Sequence, residues 1–165
     1  LMEFAAKQFD PSVTWDDLAW IRGLWHGPLM VKGLVSAPDV ARAAEVGVDA
    51  VVLSNHGGRQ LDQVVVPLQM LTAVRDRVGD TIQVFVDSGI RRGSDIAVAL
   101  ALGADAVLVG RPYLYGLGAA GERGVSAAIS MLGDELRRAM TLMGVTSVAQ
   151  LRAEGSALVR SQPAG

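Results

Sequence analysis

The chain has 165 residues, half of them apolar, and 15 Lys plus Arg against 17 Asp plus Glu give a net charge of −2. That length supports one compact core, and the near-neutral balance leaves no electrostatic footprint for nucleic acid or an anionic membrane surface. With no cysteine in the chain, disulfides, thiolate metal sites and a thiol nucleophile are excluded, and no run of about 18 apolar residues is present to cross a bilayer.

These features predict a cytoplasmic protein with no metal, nucleic acid or transmembrane segment. Leu1-Met2-Glu3-Phe4 lacks the basic-then-apolar pattern of a signal peptide, and Ser161-Gln162-Pro163-Ala164-Gly165 matches no targeting tail. Leu1 ahead of Met2 suggests a fragment of something longer.

Residues 1–13 show little periodicity and read as a loop. Thr14 followed by Asp17 then predicts a capped helix over about Trp15 to Leu24, with Leu18, Ile21, Leu24 and Trp25 at helical spacing. Trp15, Trp20 and Trp25 are five apart, which is neither a helical nor a strand period, and are expected to be packing residues. From Pro28 a unit repeats. Leu29-Met30-Val31-Lys32 reads as a strand. Ser36 caps a helix with Pro38 in its first turn, Val40, Ala43, Ala44 and Val46 inward, and Gly47 as its stop. Residues 49–54 form a second strand. Pro67 opens a helix to about Val78, residues 82–87 form a third strand, and a helix runs from Ser94 to Leu102. Residues 105–110 form the fourth strand. A Gly-rich loop is expected next, then a long helix from about Gly121 to Met143 with Met131, Met140 and Met143 as core filler, and a short helix near Ser147 to Ala153.

Four β-α units with short connections and nearly continuous apolar strands belong to a parallel sheet covered by helices. Period alone leaves a doubly wound sheet and a TIM barrel open. The strand ends favour the barrel. Each closes on residues suited to chemistry: Lys32, then Ser54 and His56, then Asp87, then Gly110 and Arg111. Catalytic groups drawn from several successive strand ends are the barrel pattern, and the G-x-G-x-x-G of a dinucleotide fold is missing. A full barrel has eight such units. The chain is therefore read as an α/β protein, the C-terminal half (strands 5–8) of a TIM (β/α)8 barrel. Residues 1–13 would be the tail of the loop before strand 5, and 14–165 the half-barrel. The other half would be a separate or cleaved chain, or the remainder of a longer polypeptide.

Asp87-Ser88-Gly89-Ile90-Arg91-Arg92-Gly93 and Gly110-Arg111-Pro112 are consecutive Gly/Arg turns. Glycine lets a ligand approach the backbone, helix starts favour anions, and arginine supplies charge. At strands seven and eight of a barrel, such turns commonly hold phosphate. Lys32 at the end of an apolar strand needs a carboxylate or a ligand. In the loop after strand two, His56 has the chemistry of a general base and Arg59 the planar fork for a carboxylate. His26, on the N-terminal side of strand one, reads as an ordinary loop residue.

The strings Val31-Lys32-Gly33, Ser54-Asn55-His56-Gly57-Gly58-Arg59-Gln60, Asp87-Ser88-Gly89-Ile90-Arg91-Arg92-Gly93 and Gly110-Arg111-Pro112 closely resemble the FMN-dependent 2-hydroxy acid oxidases and dehydrogenases. Many members of that family have Gly where Ser88 stands. The resemblance implies FMN as cofactor at the mouth of a barrel, a small 2-hydroxy acid as substrate and a homotetramer. It places Lys32 beside the flavin ring, with Ser54 near it. It gives His56 the role of base and Arg59 that of carboxylate clamp. Asp87 and Gly89 would meet the ribityl-phosphate chain, and Arg91, Gly110 and Arg111 the phosphate. An aspartate partner for the histidine and a second substrate arginine would come from the N-terminal half. Glycolate, lactate and mandelate types all fit the resemblance, and a mandelate-type acid is the substrate expected. Two alternatives stand beside this: a non-catalytic flavin- or phosphate-binding half-barrel, and another phosphate-site barrel such as an aldolase or isomerase, for which only Lys32 could form a Schiff base.

Overall fold

The computed structural model describes residues 10–159. The expected tail at residues 1–13 falls mostly outside this range, as does the C-terminal Ser161–Gly165 string. Helix α1 (Trp15–Leu24) opens on the expected capping box: the Thr14 hydroxyl accepts from Asp17 N, and the Asp17 carboxylate accepts from Thr14 N. Then follow β1 (Met30–Leu34), α2 (Ala37–Val46), β2 (Ala50–Leu53), α3 (Pro67–Val78), β3 (Gln83–Val86), α4 (Gly93–Ala101), β4 (Ala106–Val107), α5 (Arg111–Met143) and α6 (Val148–Glu154). Ser36 caps α2 and left-handed Gly47 ends it.

The four strands pair in chain order β1-β2-β3-β4, and every pair is parallel. Each strand lies beside its predecessor, so the sheet winds in one direction only. Register sorts its two faces. Val31, Val51 and Val84 align, as do Leu34, Leu53, Val86 and Val107. These rows pack with Val40 and Ala43 of α2, Leu71, Val74 and Val78 of α3, and Ala99 of α4 as the main core. The opposite face carries the row Lys32, Val52, Phe85 and Ala106. By strand alternation Ser54 and Asp87 extend that same face. Between Lys32 and Leu34 the register slips by one residue, a bulge at Gly33, whose φ of +105° suits only glycine. The bulge keeps Leu34 on the helix-covered face. A second core joins Ala97, Leu100 and Ala101 of α4 to Leu136 and Met140 of α5 and Leu151 of α6.

The stretch expected to be a Gly-rich loop is the first arm of α5. Pro112 fits a helix's first turn. The arm bends into the second at Ala120 and Gly121, where φ of Gly121 is +58°. Glycines were misleading there because they serve close approach: a Cβ on Gly116 would lie 2.4 Å from Gly124 O, and one on Gly124 would lie 1.8 Å from Gly116 O. The two arms thus touch backbone to backbone. Two packing expectations also fail. Trp15 joins the main core, but Trp20 and Trp25 are 66% and 54% exposed. Met140 and Met143 pack against the second core, whereas Met131 is exposed.

At the N-terminal ends of the strands, two arginines tie the units together. Arg22 of α1 donates to Gly47 O (3.2 Å), Gly27 O (2.7 Å) and Asp49 Oδ2 (2.9 Å). Arg75 of α3 donates to Gly103 O (2.6 Å), Gly79 O (2.8 Å) and Ile82 O (3.1 Å), and it pairs with Asp105. Asp105 also accepts from Val84 N at 2.7 Å and pairs with Arg152 of α6. Replacing Arg75 with Met removes the donor to three carbonyls and one of the three partners of the largely buried Asp105 carboxylate. In the assembled protein it should lower unfolding free energy by roughly 2–4 kcal/mol without altering ligand binding at the opposite end. Urea unfolding with and without ligand measures both.

Candidate active site

At the C-terminal ends of the strands, polar groups converge. Lys32 Nζ lies 2.8 Å from Asp87 Oδ2 and donates to Ser54 Oγ at 3.0 Å. The lysine at the end of an apolar strand thus has its carboxylate, supplied by β3 across β2. Burial pushes the Asp87 carboxyl up. Hydrogen bonds from Lys32, Ser54 and Ser88, together with the lysine charge, outweigh it and hold the group below the ordinary carboxylate range. Ser54 is fully buried beneath the pair.

The next turn carries the histidine. Ser54 Oγ accepts from His56 N at 3.1 Å, and Asn55 Oδ1 accepts from Gly57 N at 3.0 Å. These bonds fold residues 56–58 into a single 3-10 turn. His56 stands at φ +54°, a conformation that L-residues other than glycine adopt sparingly. Its imidazole lies over the Gly33 bulge, where a Cβ on Gly33 would sit 2.9 Å from His56 Cε1. Among the described residues, the imidazole and the Arg59 guanidinium have no hydrogen-bond or ion-pair partner. Both are exposed. Arg111 reaches across from α5, so that a Cβ on Gly57 would meet its Nη2 at 3.1 Å.

Eight of the nine residues singled out from sequence line one cleft of about 620 Å3: Lys32, His56, Arg59, Asp87, Gly89, Arg91, Gly110 and Arg111. The ninth, Ser54, lies under its floor. Cofactor sites commonly have volumes of ~300–1,000 Å3. His26 lies outside this cleft, on the N-terminal side of β1. The donor set suits a flavin mononucleotide. Lys32 offers positive charge from β1, and Arg91 and Arg111 offer guanidinium groups from the turns that follow β3 and β4. Gly89 and Gly110 leave the backbone between them open, since a Cβ at either would meet nothing within 4 Å.

Three amides expected to favour an anion are already taken: Arg91 N and Arg92 N, just before α4, donate to Asp95 Oδ2 at 2.8 and 2.9 Å, and Gly93 N, the first of the helix, donates to Glu135 Oε2 at 2.8 Å. Carboxylates thus occupy the entry to that helix. The α5 start has no side-chain cap, and Gly110, Arg111 and Pro112 face the cleft.

Sequence reasoning passed over Ser88 and Gly33. Ser88 was noted only as a departure from glycine; its φ is +68°, and its hydroxyl bonds to Asp87 and to the amides of Asn55 and Gly57. Its signal was the serine itself, at a turn position where glycine is usual. Gly33 follows the strand-end lysine, and only the three-dimensional packing shows the imidazole above it. Ile90, Leu108, Leu114 and Tyr115 complete the lining with apolar surface.

Comparison with known proteins agrees with this arrangement. The sequence profile of the family described as FMN-dependent dehydrogenase matches residues 1–158. An L-lactate dehydrogenase of Caulobacter vibrioides is 49% identical over 150 residues, covering 91% of this chain and 39% of that protein. An L-lactate dehydrogenase of Alcaligenes faecalis is 44% identical over 153 residues, or 93% of this chain and 40% of that one. Among solved structures, the monotopic membrane protein (S)-mandelate dehydrogenase superposes with TM-score 0.86 at 45% identity, over 91% of this chain and 40% of its own. A mandelate oxidase variant with a monooxide FMN adduct gives 0.83 at 43% identity, over 88% and 46%. The chain spans about two-fifths of the curated relatives it matches. The one-way parallel sheet is the C-terminal half of a TIM barrel. With its profile matched over nearly the whole length and its strand-end residues gathered in one cleft, the chain belongs to the FMN-dependent dehydrogenase family.

Proposed function

We propose that this chain forms the FMN-binding and proton-abstracting side of an enzyme that oxidises a 2-hydroxy acid to a 2-oxo acid. The observation that carries the reading is the single cleft in which a lysine–aspartate pair, a histidine–arginine loop and two Gly/Arg turns meet. The N-terminal barrel half, on the same or a separate polypeptide, would complete the ring.

FMN, when bound, accepts the two electrons released by the substrate. Lys32, fixed by Asp87 and Ser54, would place a positive charge where the ring gains electron density. Asp87 and Gly89 would flank the ribityl-phosphate chain. Arg91, Gly110 and Arg111 would hold the phosphate. His56 would take a proton from the hydroxy acid, and its imidazole is unencumbered by any bond within the described chain. Arg59, equally unpaired, would grip the substrate carboxylate in bidentate fashion. The apolar lining from Ile90, Leu108, Leu114 and Tyr115 would exclude water from part of the cleft.

No helix among the described residues is long and apolar enough to cross a membrane. A cytoplasmic homotetramer completes the proposal, and the monotopic relative makes peripheral membrane contact the competing arrangement.

The test is a steady-state panel of glycolate, lactate and mandelate on the assembled FMN-loaded protein, with oxygen and an artificial dye as alternative acceptors. Bleaching of the flavin bands by at least one acid is expected. A protein that retains no FMN, or whose flavin no hydroxy acid bleaches, overturns the proposal. Changing Arg59 to Lys keeps the charge and loses the planar fork. It should weaken hydroxy-acid binding roughly tenfold or more, in line with about 1.5–3 kcal/mol for a charge-assisted hydrogen bond. Unchanged substrate affinity would remove Arg59 from the clamp role.

A further inference from the structure

We propose that Ser88 is a positioning residue for the reaction: its hydroxyl fastens the histidine loop to Asp87, the partner of Lys32. This rests on the reading of His56 as the base. Ser88 Oγ donates to Asp87 Oδ1 at 2.7 Å and accepts from Asn55 N at 3.3 Å and Gly57 N at 3.2 Å. A hydroxyl has one donor and two acceptor sites, so all three are used. The two amides flank His56 in the chain.

Two routes then connect the histidine turn with the lysine. One runs through Ser54, which accepts from both His56 N and Lys32 Nζ. The other runs from Gly57 through Ser88 and Asp87 to Lys32. Together they close a ring around the base of the cleft. The second route exists only because residue 88 has a side-chain oxygen. That oxygen is held in a conformation, φ +68°, that glycine adopts without strain. Serine there forgoes a relaxed backbone and gains three hydrogen bonds. Without the hydroxyl, Asn55 N loses its partner, Gly57 N keeps only Asn55 Oδ1, and the left-handed His56 is held from one side.

Glycine and alanine at this position separate the hydroxyl from the backbone. Ser88→Gly removes the oxygen and relaxes φ. Ser88→Ala removes the oxygen and keeps the unfavourable φ. In the assembled FMN-loaded enzyme, both should reduce flavin about tenfold more slowly at saturating hydroxy acid, with KM changed less than twofold because Arg59 lies beyond the fastened residues. The Gly variant should unfold in urea no earlier than the parent, and the Ala variant earlier. Hydrogen exchange of the Asn55 and Gly57 amides, followed by NMR, should quicken at least tenfold in both variants while core amides stay protected. Parental reduction rates in Ser88→Gly overturn the proposal. So does unchanged exchange at Asn55 and Gly57, or exchange that quickens throughout the protein, which would mark a merely structural role. A parent enzyme that no hydroxy acid reduces would fail the functional reading instead, and the exchange experiment would still decide whether the hydroxyl fastens the loop.

Discussion

Replacing His56 with Ala should slow reduction of bound FMN by a hydroxy acid roughly 10²–10⁴-fold, the range a positioned general base contributes, and leave the cofactor in place. The backbone bonds that shape the turn, from His56 N to Ser54 Oγ and from Gly57 N to Asn55 Oδ1, do not involve the imidazole. The ring itself is exposed and bonded to nothing among the described residues, so its removal strands no buried polar group. Alanine can occupy the same left-handed φ at a penalty of about 1–2 kcal/mol. The guanidinium groups of Arg91 and Arg111 and the open backbone at Gly89 and Gly110 are unchanged by the substitution. Anaerobic mixing of the variant with hydroxy acid, followed at the flavin bands, makes the comparison. Bleaching at the parental rate would show that the proton leaves by another route.

Lys32→Met should combine a loss of activity with a change in how stability depends on pH. In the parent, Asp87 is held below its ordinary pKa. Its ionised form therefore stabilises the fold above the unfolded-state value, near pH 3.9, and this stabilisation is lost as pH falls through the folded-state value. Without Lys32, burial is opposed only by the hydroxyls of Ser54 and Ser88, so the Asp87 pKa climbs. The variant should be less stable at pH 7 by roughly 1–3 kcal/mol. That is below the 3–5 kcal/mol of a fully buried broken pair, because the Lys32 side chain is 42% exposed. As pH falls from 6 to 3 the variant should lose less stability than the parent, and the two curves should converge. Adding Asp87→Asn to Lys32→Met should recover much of the loss at neutral pH. Urea unfolding of the assembled protein across that pH range is the measurement. Parallel curves for parent and Lys32→Met would mean that the pair does not couple Asp87 to folding.

What the sequence made legible was local or periodic. Thr14 with Asp17, Ser36, Gly47 and Pro67 mark helix ends because caps are satisfied within a few residues, and those ends lie where expected. The strand-end chemistry was legible because apolar runs broke at polar residues. Contacts distant in sequence were not. Nothing near Lys32 announces Asp87 as its partner. Glu135, which occupies the first amide of α4, comes from another helix altogether. Asp95 was the part of that correction within reach, since it stands in the first turn of the helix it caps. Glycine gave an ambiguous sign. At Gly47 it ends a helix, whereas at Gly116 and Gly124 it lets two helical arms touch. Trp20 and Trp25 were misjudged because a period of five says nothing about which face of the sheet-and-helix layer a residue meets.

Among the described residues the two outer strands each pair on one side only, β1 with β2 and β4 with β3. Lys32 stands on β1, and Gly110 and Arg111 follow β4. A flavin lying across the cleft would therefore tie one outer strand to the other, and its release on heating should coincide with the parting of the two barrel halves.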